Sequence, residues 1–117
     1  MIAGKRVLIV EDEFLVSAML EDELLDQGAQ IVGPAASLSE GLRLAELGGF
    51  DLAVIDWNLD GEHSAPIVEA LRAAGVPFVI STGYGAVPQA FVGCPVLSKP
   101  YDPAELVAVF GKLLDRP

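Results

Sequence analysis

The chain has 117 residues, 52% of them hydrophobic, and a formal net charge of −10 from 17 acidic and 7 basic side chains. This length suffices to bury a core as one domain over residues 1–117, and the excess of acids disfavours binding to a nucleic-acid backbone. No apolar stretch approaches the roughly 20 residues of a membrane span, no signal-peptide pattern opens the chain, and Cys94 has no second cysteine to pair with, so we expect a cytoplasmic protein without membrane or nucleic-acid contact.

Short β-branched runs alternate with helical patterns along the whole chain. This alternation predicts parallel βαβ units rather than a sheet of hairpins. The predicted strands lie near residues 5–10, 30–35, 51–56, 77–81 and 95–98, and the predicted helices near 13–27, 38–48, 64–74, 85–92 and 103–115. An open α/β sheet follows from this pattern, but the order of its strands does not.

Several residues mark where the predicted helices begin and end. Gly28 is placed to end the first helix, since glycine adopts the left-handed conformation found after many helices. Ser37 and Glu40 have the spacing of a capping box at the start of the second. Asp102 and Pro103 suit the cap and first turn of the last helix.

Charged residues follow three of the predicted strands. Glu11 and Asp12 come after the first strand, Asp56 ends the third, and Lys99 follows the fifth. Because the carboxyl ends of parallel strands meet at one edge of a sheet, we expect these side chains to converge. Carboxylates so close would repel one another without a cation, and a lysine among them offers a positive charge to an anion. The pattern indicates metal-assisted phosphoryl chemistry.

Four motifs carry a resemblance to a known family. They are, in chain order, Val7-Leu-Ile-Val-Glu-Asp-Glu13, Asp51-Leu-Ala-Val-Ile-Asp56, Ile80-Ser-Thr-Gly83 and Leu97-Ser-Lys-Pro100. With these motifs the chain resembles, over essentially its full length, the receiver domain of two-component response regulators. Each motif alone is weak, whereas four ordered matches at successive strand ends are specific. The resemblance implies a flavodoxin-like, doubly wound (βα)5 fold of class α/β, with a five-stranded parallel sheet in the order 2-1-3-4-5.

The resemblance also assigns an acceptor and a metal site. Asp56 would be the phosphoacceptor, receiving its phosphoryl group from a sensor histidine kinase or a histidine phosphotransfer protein, although an isolated Asp there would more often cap a loop. Glu11, Asp12, Asp56 and the backbone carbonyl of Asn58 would hold Mg²⁺, which prefers hard oxygen ligands. Glu13 is predicted to be a first-turn helix residue rather than a ligand.

Three further residues match positions of the family that act on the phosphoryl group. Lys99 would pair with a phosphoryl oxygen, and Pro100 matches a proline whose preceding peptide is typically cis. Thr82 would donate a hydrogen bond to the phosphoryl group once Asp56 is modified. Without the resemblance, a lysine at a turn and a threonine before glycine would be ordinary surface and turn residues.

The chain departs from the family pattern in its switch region. Val96 stands three residues before the lysine, where most receivers have Tyr or Phe. The segment from Ile80 partly resembles a subgroup, often of stand-alone receivers, with the motif Phe-Ala-Thr-Gly-any-Tyr; Ser81 replaces the alanine, and Tyr84 comes one place early. We therefore expect signalling to a downstream protein through residues 83–103.

The expected function is that of a phosphorelay receiver, which catalyses only its own phosphorylation and dephosphorylation. One alternative is a small hydrolase of the haloacid dehalogenase type, although Asn58 stands where that family needs a second Asp. Another is a receiver-like binding module that is not phosphorylated, and a third is a flavodoxin-type cofactor carrier. No output domain fits in this length, so the chain is either a single-domain regulator or the receiver of a longer protein.

Overall fold

The computed structural model describes residues 2–83 and 94–115, which build an α/β fold. Its strands in chain order are β1 (Arg6–Val10), β2 (Gln30–Ala35), β3 (Leu52–Asp56), β4 (Asn58–Leu59), β5 (Glu62–His63), β6 (Phe78–Thr82) and β7 (Val96–Ser98). Its helices are α1 (Phe14–Asp26), α2 (Leu38–Leu47), α3 (Ala65–Ala74) and α4 (Pro103–Leu114). All five predicted strands and four of the predicted helices are confirmed, with ends that differ by at most one residue.

Five strands form one parallel sheet in the order β2-β1-β3-β6-β7. This is the predicted order 2-1-3-4-5, because β4 and β5 pair only with each other in an antiparallel hairpin. The predicted fold class is therefore confirmed. The hairpin was not predicted, and it follows directly after Asp56.

The sheet is covered on both faces because successive side chains of each strand point to opposite sides. Val7 and Ile9 pack in the layer that contains Phe110 of α4. Leu8 and Val10 pack in the other layer, against α2 and α3. With both faces occupied, the carboxyl edge of the sheet is the place left for a functional crevice.

Specific caps hold two of the helices in place. The Ser37 hydroxyl accepts a hydrogen bond from the backbone N–H of Glu40 at 3.2 Å, which confirms the Ser37 half of the capping box predicted for α2. A full capping box starts α4, where the N–H of Asp102 donates to Oε1 of Glu105 at 3.2 Å. Since Asp102 lies three residues after Lys99, this cap also anchors the chain that leaves β7.

The predicted helix at 85–92 and the subgroup match at Tyr84 lie outside the described residues, as does most of the expected signalling segment 83–103 up to residue 93. Among the helices of the described residues, none combines the length and the apolar character needed to cross a bilayer.

Candidate functional site

Three strand ends bring the predicted charged residues together at the carboxyl edge of the sheet. Val10 of β1 is paired with Ile55 of β3, so Glu11 and Asp56 follow side by side. Both are 4% exposed. Two acids this deeply buried require compensation, because desolvation of an unpaired carboxylate is costly.

Lys99 compensates the buried acids. Its Nζ lies 2.9 Å from Oε1 of Glu11 and 2.9 Å from Oδ2 of Asp56, and its side chain is 15% exposed. Burial lowers the pKa of the Lys99 ammonium, but hydrogen bonds to Asp56 and Glu11 more than offset this and hold the pKa above its usual range. The lysine thus joins two carboxylates, instead of being the spare positive charge that the sequence indicated.

Glu11 is the acid with the most perturbed protonation among the described residues. Burial raises the pKa of its carboxyl from 4.5 to about 7, against the opposing effect of Lys99 and with the help of the negative charge on Asp56. One lysine therefore does not fully stabilise both carboxylates in their ionised forms. A further cation at this edge would favour ionised Glu11.

The raised pKa predicts how stability depends on pH. The folded protein keeps a proton on Glu11 up to about pH 7, whereas the unfolded chain releases it near pH 4.5, so stability falls as pH rises through this window. We expect Glu11→Gln to gain stability over the wild type by on the order of 3 kcal/mol between pH 4.5 and pH 8. Urea unfolding in the presence of a chelator measures this difference.

The matched control is Glu62→Gln, which changes an exposed glutamate of the β4–β5 hairpin. Its stability difference from the wild type should stay constant over the same pH range. If the difference in unfolding free energy between Glu11→Gln and the wild type also stays constant with pH, the pKa of Glu11 is not raised in the folded protein.

The β4–β5 hairpin forms one side of the site. Its turn places Asp60 at φ 51° and Gly61 at φ 87°, the left-handed pair typical of tight Asp-Gly hairpin turns. The N–H of Asp60 donates to Oδ2 of Asp12 at 3.0 Å, and the N–H of Asn58 donates to Oδ1 of Asp56 at 3.3 Å. The hairpin therefore positions both Asp12 and the carboxylate of Asp56.

Glu13 lies closer to the site than the sequence predicted. It is the residue that precedes α1 and makes no side-chain cap bond, and its Oε1 lies 3.4 Å from Nζ of Lys99. Its N–H donates to Oε2 of Glu11 at 3.1 Å. Glu13 thus lies at the N-cap of α1, one residue before the first turn predicted for it, and from there its carboxylate reaches the lysine.

The donor set fits the predicted Mg²⁺. One carboxylate oxygen from each of four acids lies within 4.8 Å of the other three, the four being Glu11, Asp12, Glu13 and Asp56. Carboxylate oxygens are the ligands that Mg²⁺ prefers, and the cation keeps several waters when only some positions are filled by protein. The predicted backbone ligand, Asn58, lines the same cavity. The structure thus adds Glu13 to the residues available for the ion.

A cavity of about 610 Å³ opens over these groups. Its polar lining includes Asp12, Asp56 and Lys99, and its apolar lining comes mainly from α1, through Val16 and Met19. Thr82, the predicted phosphoryl sensor, is the last residue of β6 and is 3% exposed. Its carbonyl accepts a hydrogen bond from the N–H of Lys99 at 2.8 Å. The Lys99–Pro100 peptide is cis.

Tyr101 extends the site on the α1 and α4 face of the sheet. It lines the cavity and packs against the core layer that contains Leu106 and Phe110. Burial raises the pKa of Tyr101 to about 12, with a further contribution from the negative charge of Glu11. Its hydroxyl therefore stays protonated at neutral pH and is available as a hydrogen-bond donor. The four sequence motifs end at Pro100, and from the sequence we predicted only local packing for Tyr101.

A family model described as the response regulator receiver domain matches residues 7–110. Among curated proteins, the transcriptional regulatory protein PdtaR of Mycobacterium tuberculosis is 37% identical over 83 residues, which cover 68% of this chain and 40% of PdtaR. The transcriptional regulatory protein CusR of Escherichia coli is 33% identical over 118 residues, covering 95% of this chain and 52% of CusR. The chain thus spans about half the length, or less, of these curated relatives.

Among solved structures, SdrG from Sphingomonas melonis Fr1 has a TM-score of 0.85 and 40% sequence identity, and the match covers 97% of this chain and 99% of SdrG. A second structure, described as the BeF3-activated conformation of SdrG from Pseudomonas melonis Fr1, has a TM-score of 0.78 and 38% identity over 97% of this chain and 99% of that one. Both matches extend over nearly the whole of each chain.

Proposed function

Because the chain belongs to the response regulator receiver domain family of two-component systems, we propose that it accepts a phosphoryl group on Asp56 from a sensor histidine kinase or a histidine phosphotransfer protein. The single observation that supports this most strongly is the buried carboxylate of Asp56 at the cavity, with Nζ of Lys99 at 2.9 Å. Membership of the family disfavours the hydrolase and flavodoxin-type alternatives.

The geometry suits a carboxylate nucleophile. Asp56 is held by two directed contacts, from Lys99 to Oδ2 and from the N–H of Asn58 to Oδ1, so its oxygens are aligned before the phosphodonor arrives. In the transfer, one carboxylate oxygen forms the new P–O bond while the P–N bond of phosphohistidine breaks and its electron pair leaves with the imidazole. The product is an acyl phosphate on Asp56.

Lys99 and the acidic cluster have separate tasks in this step. Lys99 already touches Asp56, so it is placed to neutralise an oxygen of the incoming phosphoryl group. Glu11, Asp12 and Asp56, with the carbonyl of Asn58, would hold Mg²⁺, which when bound neutralises phosphoryl charge and orients the oxygens. We propose no activity on a separate substrate: the chain catalyses only its own phosphorylation and dephosphorylation.

Exposed apolar residues in the first half of α1, one of which lines the cavity, support a protein as the phosphodonor. Phe14 and Leu15, in the first turn of α1, are 78% and 76% exposed, and Met19, which lines the cavity, is 55% exposed. Large apolar side chains clustered beside a polar site are typical of surfaces that bind another protein. A phosphohistidine protein docked on this face of α1 would lie beside Asp56.

Phosphorylation then acts as a signal through a change of conformation. The related SdrG has a BeF3-activated conformation, which supports a second state that a phosphoryl mimic stabilises in this chain also. We propose that phosphorylation changes which conformers residues 83–103 populate, and that a downstream protein binds this surface in the phosphorylated state. Val96, partly buried in β7, takes the place of the aromatic residue that most receivers carry there.

The proposal is tested by incubating the protein with acetyl phosphate and Mg²⁺ and measuring its intact mass. We expect one phosphoryl adduct per chain, forming at least about 100-fold more slowly when Mg²⁺ is chelated, because the cation supplies several kcal/mol of charge stabilisation. In the chelated sample, added Na⁺ restores the ionic strength of the sample with Mg²⁺. No adduct with acetyl phosphate, phosphoramidate or a phosphorylated histidine phosphotransfer protein would exclude the proposed function.

A further inference from the structure

Two buried hydroxyl groups near the site have no hydrogen-bond partner within residues 2–83 and 94–115. They are Oγ of Ser81, a residue 1% exposed, and Oη of Tyr101. Buried polar atoms are almost always hydrogen-bonded, since leaving one unpaired forfeits the bonds it would make with water. Two such groups near one cavity therefore suggest that a ligand or a modification supplies the missing hydrogen-bond partner.

The strand register places both hydroxyls next to the phosphoacceptor. Ser81 of β6 is the register partner of Asp56 in β3, and register partners of a parallel pair point to the same face. The pair two residues earlier, Val54 and Val79, lies in the α1 and α4 core layer, and side chains two residues apart in a strand share a face, so Asp56 and Ser81 face that layer too. Tyr101 packs at the edge of the same layer.

Tyr101 links the buried pair to the cavity. It lines the cavity with Asp56 and Lys99, and the charges of Glu11, Lys99 and Asp56 all act on its hydroxyl. The Ser81 hydroxyl is near enough to lower the pKa of Tyr101, although the two groups do not meet the geometry of a formed hydrogen bond. Ser81 is thus a close neighbour of the phenol, and Tyr101 is the residue of this pair that lines the cavity.

Phosphorylation supplies what this hydroxyl lacks. A phosphoryl group brings strong acceptor oxygens to Asp56, and Lys99, which also pairs with Glu11, is then shared between Glu11 and the phosphoryl group. Tyr101 is a protonated donor on the adjoining wall of the cavity.

We propose that Tyr101, oriented by Ser81, donates a hydrogen bond to an oxygen of the phosphoryl group on Asp56 and is therefore a further binding residue of the site. The inference rests on the proposed function. Its consequence is a difference between two states: the hydroxyl has no partner within residues 2–83 and 94–115 of the unmodified protein and gains one in the modified protein, so it favours the modified state.

Tyr101→Phe removes the hydroxyl and keeps the ring, which makes it the direct test. The probe is beryllofluoride in saturating Mg²⁺, with binding followed by fluorine NMR, and the stability of the unmodified protein is measured by urea unfolding. We expect the affinity for beryllofluoride to fall about 10-fold, as for a lost hydrogen bond to a charged group. Mg²⁺ affinity should not change, and the urea midpoint should be equal or higher.

Ser81→Ala tests the orienting role. We expect a smaller loss of beryllofluoride affinity than for Tyr101→Phe, and the double variant should be no weaker than Tyr101→Phe alone, because Ser81 acts through the phenol. Additive losses would overturn the orienting role of Ser81.

The matched control is Ser64→Ala. Ser64 precedes α3, and its Oγ is also buried without a partner in the described part of the chain, but Ser64 does not line the cavity. This variant should bind beryllofluoride like the wild type. If Tyr101→Phe also binds like the wild type, or loses affinity together with stability, the inference is overturned. If the wild type itself neither binds beryllofluoride nor accepts a phosphoryl group, the proposed function fails and the inference fails with it.

Discussion

Asp56→Asn is expected to abolish the phosphoryl adduct, with none detectable by intact mass after incubation with acetyl phosphate and Mg²⁺. The amide oxygen of asparagine carries no negative charge and is a poor nucleophile, so the variant side chain does not attack the phosphodonor. The fold should persist, because Lys99 keeps its 2.9 Å contact with Glu11 and one carboxylate leaves a crowded acidic cluster. The urea midpoint of the variant should therefore equal or exceed that of the wild type.

Asp60→Asn is the matched control for that result. Asp60 lines the same cavity, but its link to the acidic cluster is made by its backbone N–H, which bonds Asp12 at 3.0 Å. Asparagine also tolerates the positive φ of 51° at this position. The control should accept the phosphoryl group at close to the wild-type rate. An adduct that persists in Asp56→Asn and disappears in Asp60→Asn would move the acceptor to the hairpin.

The sheet and the meeting of the charged residues were predictable because both depend on local patterns. The continuous apolar run Val7 to Val10 indicates a strand buried on both faces, and alternation with helices indicates that such strands are parallel. Once strands are parallel, the residue after each one lies at the same edge. The pattern thus places Glu11, Asp56 and Lys99 at one edge, and the strand order implied by the resemblance brings them near one another; in the structure Lys99 contacts both acids at 2.9 Å.

The remainder of the site depends on contacts between distant parts of the chain. Asp60-Gly61 is a turn signal that would have indicated the β4–β5 hairpin, but its bond to Asp12 joins residues far apart in sequence. The contact of Glu13 with Lys99 likewise depends on how the chain folds after β1, because the two residues are far apart in sequence. The hydroxyls of Ser81 and Tyr101, which lack a partner in the described part of the chain, are recognised only once burial is known, since both residue types are common on surfaces.

The position of Lys99 between two buried carboxylates changes how the resting site is understood. A lysine that already pairs with Glu11 and Asp56 contributes to stability as well as to phosphoryl binding. Removing one partner of a buried ion pair usually destabilises a protein more than the pair itself stabilises it, because the remaining charge is left buried without compensation. Here two charges would be left.

Lys99→Met is therefore expected to lower the free energy of unfolding by about 3–5 kcal/mol at pH 8 in a chelator, with methionine preserving much of the packing volume. The loss should shrink at pH 5, because Glu11, whose pKa is raised to about 7, then takes a proton and is neutral without the lysine. Urea unfolding at the two pH values measures this. Lys112→Met, at an exposed position of α4, is the control and should change little at either pH.

Two further measurements separate charge from packing in this variant. Saturating Mg²⁺ should restore part of the stability of Lys99→Met at pH 8, since a cation held by Glu11, Asp12 and Asp56 would replace the missing positive charge. Combining Lys99→Met with Glu11→Gln should likewise cost less than Lys99→Met alone, because only one buried carboxylate then lacks a partner. The contrary result is a loss of stability that is the same at pH 5 and pH 8 and that is reduced neither by Mg²⁺ nor by Glu11→Gln. In that case Lys99 stabilises the fold through its aliphatic chain, and the proposed stabilisation by ion pairs with Glu11 and Asp56 is wrong.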